Sequence, residues 1–108
     1  MKGLLSAILF VACCSLSANE TSPKSTVTRL ISYAQYGNGD VYVRLQETAA
    51  TCSGGYFINQ NSVGFKNTFS MLLAAYQTQT PLHIVGNEAV RWGGSSAVVC
   101  EIYSVNYQ

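Results

Sequence analysis

The chain has 108 residues, 48% of them hydrophobic and only 10% charged, with a formal net charge of +1. That length allows one domain. A balance so near neutral, with no basic cluster, argues against nucleic acid as a partner and against electrostatic docking on a membrane.

The first segment is a leader. Lys2 precedes an apolar run over residues 4–12, too short to cross a bilayer as a stable helix, so no integral membrane span is expected. Small residues at positions 15–18 suit a signal peptidase, which makes residues 1–18 a signal peptide and the protein secreted or periplasmic. There is an alternative: Phe10-Val11-Ala12-Cys13 approaches a lipoprotein cleavage box, and the product would then be lipid-anchored through Cys13. Past the leader, Lys24, Arg29, Arg44, Lys66 and Arg91 face Glu20, Asp40, Glu47, Glu88 and Glu101. The polar stretch 19–25, containing Pro23, reads as a flexible arm, and residues 26–108 as the folded domain.

Residues 26–36 form an expected first strand, in which Val27, Ile31 and Tyr33 share one parity and Arg29 interrupts it. Gly37-Asn38-Gly39-Asp40 tolerates positive φ and predicts a hairpin turn. Val41, Val43 and Leu45 then alternate with Tyr42, Arg44 and Gln46, the clearest half-buried strand in the chain. A loop over 48–55 holds Cys52, and 56–59 reads as a third strand. Phe65, Phe69, Leu72, Leu73 and Tyr76 draw one apolar stripe at the helical period, which predicts a helix over 64–77 burying Phe69, Leu72 and Leu73. Ser62 is the expected N-cap, and Pro81 forbids continuation. A strand over 82–85, a turn at Gly86-Asn87, a segment around 90–92, a flexible corner at 93–96 and a last strand over 97–107 complete the order.

Three strands, one helix and two strands is the connectivity of the OB-fold, an all-β five-stranded Greek-key barrel plugged by a single helix. Closure of a barrel also removes the exposed strand edges that promote aggregation. With the leader gone, Cys52 and Cys100 are the one certain cysteine pair, and export makes a disulfide between them the default; two buried thiols are the other reading.

Catalytic patterns are absent. His83 is the single histidine, no nucleophile-elbow motif accompanies it, and the paired glycines lack the spacing of a phosphate loop. Two cysteines and one distant histidine make no metal-ligand set, so neither a metal nor another cofactor is expected, and the protein is read as a binder and not an enzyme. Sugars are gripped by aromatic faces and by hydroxyl and amide groups at their rims, and Tyr36 and Trp92 are the rings best placed for it, near the first turn and near the loop after the fourth strand.

The helix and its flanks carry a resemblance. Phe65-Lys66, Tyr76, Thr78 and Leu82-His83-Ile84, with Trp92 beyond, are similar to the binding subunits of subtilase-cytotoxin and typhoid-toxin type, over roughly residues 40–92. Those subunits carry a Phe-Lys pair at the helix start, an aromatic near its end, a Thr-containing turn and an extended Val-Arg-Ile. The resemblance implies an OB-fold subunit in a homopentamer, a cell-surface glycan (sialylated or related) as ligand, and a catalytic A-type chain as a further partner. It also implies that a serine before the first strand joins the glycan pocket, for which Ser25 is the match. The cysteines depart from the family: the local second-to-third-strand bond has no counterpart, and Val43 and Arg44 occupy that region. A secreted monomeric or dimeric OB-fold protein that binds or inhibits another protein is the alternative function.

Overall fold

A computed structural model describes residues 19–108; the expected signal peptide and the lipid-anchor alternative at Cys13 lie outside the described residues. The elements are β1 (Asn19–Thr21), β2 (Val27–Ser32), β3 (Val41–Leu45), β4 (Gly55–Ile58), α1 (Phe65–Thr78), β5 (His83–Arg91) and β6 (Val99–Asn106). They form one mixed, six-stranded sheet in the order β1-β5-β6-β4-β3-β2, with the helix packed against it. β2, β3 and β4 make an antiparallel meander whose first turn is the expected hairpin. β6 pairs parallel with β4, and α1 lies in the long connection such pairing requires.

The sequence order of strands and helix is as expected, with one strand more. The arm at 19–25 begins with β1, which pairs antiparallel with β5. The chain then stays bonded on that side: the Ser22 amide donates to the Ile84 carbonyl at 2.8 Å, and Ser25 and Leu82 exchange amide bonds of 3.0 and 2.9 Å. One residue later the Thr26 carbonyl accepts from the Gln46 amide at 2.9 Å, on the β3 side. Successive residues therefore serve opposite ends of the strand order.

β2 carries a bulge between Val27 and Arg29. An extra residue in one strand shifts every later side chain to the other face. Val27 is thus in the main core, while Arg29, Ile31 and Tyr33 face away from it, and the single parity expected for Val27, Ile31 and Tyr33 does not hold. β5 runs unbroken through Gly86 and Asn87, where a turn was expected, and absorbs irregularities on both sides of them. Glycine is needed there because a Cβ at 86 would lie 2.7 Å from the Tyr56 ring.

The helix begins one residue later than expected. Its N-cap is Gly64, with no side-chain cap; Ser62 contributes its carbonyl, which accepts from the Phe65 amide at 3.1 Å. Leu72 and Ala75 are its buried residues, and Phe65 and Phe69 pack partly against the core. Leu73, expected inside, is 39% exposed. The sequence stripe gave all large apolar residues equal weight, whereas the sheet meets the helix on the side of Ala75, whose small side chain permits close approach.

The core joins Val27, Val43 and Leu45 of the meander to Tyr56, Leu72, Leu82 and Ile84. Burying one such leucine or isoleucine contributes about 1.5–3 kcal/mol. Cys52 and Cys100 are bonded within it, with Cα atoms 5.6 Å apart. Glu20 of β1 clamps the same loop: its two carboxylate oxygens accept from the Thr51 and Cys52 amides, each at 2.9 Å. Among the described residues, no helix is long and apolar enough to cross a membrane.

Candidate functional site

Away from the main core, the other face of the sheet carries a second cluster of Tyr42, Phe57, Trp92 and Val99, with Ile31 and Tyr33 packed against it. Trp92 is its centre. The indole stacks near Tyr42 (centroids 5.9 Å, 24°) and Phe57 (6.2 Å, 25°), with Tyr33 at 5.7 Å and the edge of Tyr36 at 6.0 Å. Its Nε1–H donates to the buried Asp40 carboxylate at 3.2 Å, and the second oxygen of Asp40 accepts from the Gln60 amide at 2.9 Å. The hairpin turn is fitted to this ring. Gly37 and Asn38 take φ of 62° and 65°, and a Cβ at 37 would lie 2.3 Å from the indole.

Tyr33, Tyr36, Tyr42 and Trp92 border a pocket of about 540 Å³, within the range of small-ligand sites. Ile31 and Tyr42, opposite each other across β2 and β3, lie in its lining, and so do Arg29 and Arg44, the neighbouring pair on that face. Ser95 and the Gly94 backbone line it as well. The Tyr36 hydroxyl donates to the Gly94 carbonyl at 2.5 Å, tying the 93–96 corner to the hairpin turn across 58 positions of sequence.

The sequence-derived residues divide. Tyr36 and Trp92 come together at this pocket, as their separate turns did not reveal. Trp92 is only 6% exposed, so most of its surface is taken by protein, and it acts as the backing of the site; Tyr36, 59% exposed, is the ring left open to a ligand. Ser25 is elsewhere. It is buried, its backbone bonds Leu82, and its hydroxyl accepts from the Glu47 amide at 2.9 Å. It stands outside the pocket lining. His83 also lies outside it, with Nδ1 2.9 Å from the Ser22 carbonyl.

Sequence reasoning passed over Arg29, Tyr33, Tyr42 and Arg44. Alternation in β3 did signal that Tyr42 and Arg44 share the face opposite Val41, Val43 and Leu45. Nothing comparable marked β2, because its bulge reverses the parity midway.

No protein-family model matches the chain, and no curated protein matches it.

Proposed function

We propose that the protein is an exported glycan-binding module and not an enzyme. The observation that carries this reading is Tyr36, a largely exposed ring held by its own hydroxyl bond and by packing on Trp92 and Tyr33, bordering a pocket lined by both aromatic and polar residues. A fixed aromatic face beside hydroxyl and amide groups suits the alternating C–H and O–H surfaces of a sugar. The disulfide supports passage through an oxidising compartment, and so a secreted or periplasmic address.

In the same reading the sheet is an OB-type barrel, with residues 19–32 acting as one bent strand that belongs to both ends. The bonds of Ser22 and Ser25 to one neighbour and of Thr26 to the other support it. Assembly into a ring of five, with a catalytic A-type chain bound to it, rests on the sequence resemblance to toxin binding subunits. The exposed Leu73 and Tyr76 on the helix offer apolar surface for contact between copies. Single sites of this kind are weak, and several on one ring raise apparent affinity by roughly 10²–10⁴.

A glycan array probed with the mature protein, with native mass recorded on the same sample, tests the reading. Retention on a glycan surface is expected, together with loss of retention in Tyr36→Ala at unchanged mass; Tyr36→Phe, which keeps the ring, should retain most of it. No retention on any glycan, or a Tyr36→Ala variant equal to the parent, refutes the reading. Tyr103, 69% exposed on β6, favours a second reading, a monomeric or dimeric protein-binding module, and a glycan-blind monomer would shift the weight to it.

A further inference from the structure

Arg29 and Arg44 are direct partners in the antiparallel pairing of β2 with β3, and both line the pocket. Residues so placed have Cβ atoms about 4.5–5.5 Å apart, and like charges there oppose folding. Both side chains are exposed, and neither guanidinium has an ion-pair or hydrogen-bond partner among the described residues. The pocket lining includes no Asp or Glu among the described residues. Asp40, at the aromatic end, has its oxygens engaged by Trp92 and Gln60. Two uncompensated cations thus face each other across one pair of strands, a placement that costs the free protein stability and calls for an anion.

The kind of anion follows from oxygen number. One guanidinium fork already engages both oxygens of a carboxylate. Two opposed forks are better satisfied by a group with a third oxygen, as a sulfate or phosphate monoester has. Its position follows from the strand. Arg29 and Tyr33, the ring on which Tyr36 packs (centroids 5.2 Å), are four residues apart, about 13 Å of extended chain, with the Ile31–Tyr42 pair between them. A single pyranose ring is shorter than that interval.

Resting on the glycan reading, we propose that the ligand is an oligosaccharide of at least two rings, one stacked at Tyr36 and another carrying a sulfate or phosphate ester seated between Arg29 and Arg44. The Ile31–Tyr42 pair supplies the apolar surface beneath the linkage.

The test uses the mature chain and one tetrasaccharide backbone prepared unsubstituted, with a single sulfate, with a single phosphate and with a single carboxylate, plus a single-stranded oligonucleotide. A sulfate or phosphate form should bind about tenfold or more tightly than the unsubstituted and carboxylate forms, as expected for charge-assisted hydrogen bonds. The stronger of the two identifies the ester. Arg29→Gln and Arg44→Gln should each erase that advantage, bringing the ester forms down to the level of the unsubstituted sugar on the same variant, and Arg44→Lys should restore only part of it. Without ligand, each Gln variant should melt slightly higher at low salt, because a like-charge pair has been removed; a lower Tm would show the arginines held by the protein and overturn the proposal. Equal binding of the unsubstituted form, or preference for the carboxylate, overturns it and leaves the glycan reading standing. Retention of no glycan overturns both, and preference for the oligonucleotide assigns the arginines to nucleic acid instead.

Discussion

Reducing the Cys52–Cys100 bond removes a link between the loop before β4 and the strand β6, across 48 positions of sequence. In the chain-entropy model a closed loop of that length restricts the unfolded chain by about 4 kcal/mol at 25 °C. A domain of this size has only ~5–13 kcal/mol of stability, so the bond supplies a large share. Urea denaturation of the oxidised and reduced wild-type protein, followed by fluorescence of Trp92, measures the difference. Both sulfur atoms stay in the core in this comparison, so the change reports mainly on the link. Oxidised protein should unfold at the higher midpoint, by about 4 kcal/mol, and with the smaller m-value, since its cross-linked unfolded chain exposes less surface. Both cysteines are fully buried, so reduction should require strong reductant or partial unfolding. A difference below ~1 kcal/mol, or equal m-values, would refute the loop-entropy account.

The helix faces are separable: Leu72→Ala should cost about 2–5 kcal/mol and Leu73→Ala under ~1 kcal/mol in the same assay, and the reverse order would reassign the buried face. Gly86→Ala places a methyl against the Tyr56 ring at 2.7 Å and the Cys52 sulfur at 3.2 Å, and should destabilise by about 1–3 kcal/mol; an unchanged midpoint would mean the ring yields freely. Burial pushes the Tyr56 phenol up to about 12, with the Glu20 charge adding to the rise and the nearby Ser22 hydroxyl opposing it. The neutral form is the one the fold favours, so its contribution is full below the unfolded tyrosine value near 10 and is lost as pH rises through about 12. Midpoints measured across that window should fall more steeply for the parent than for Tyr56→Phe. At neutral pH that variant should be equal to the parent or more stable, because the hydroxyl it removes has no hydrogen-bond partner among the described residues.

Local chemistry made much of this protein legible from its sequence. The Gly37-Asn38-Gly39 turn needs residues that accept positive φ, β3 alternates cleanly, and the helix repeats at its own period. Each of these rests on a residue and its near neighbours. The remainder depends on which surfaces meet. Leu73, expected inside, is exposed while Ala75 is buried, because the sheet approaches the helix from the side of the smaller residue. Gly86 signals a turn by composition, yet lies inside β5 because Tyr56 and Cys52 press on it from distant parts of the chain. Ser25 and Trp92, both expected at a ligand pocket, are buried, one by the pairing of residues 25 and 82, the other by four rings from three separate segments. The candidate site was least legible of all. Arg29 and Arg44 face each other only because one bulged residue reverses the parity of β2, and strand register is a property of two strands that neither carries alone.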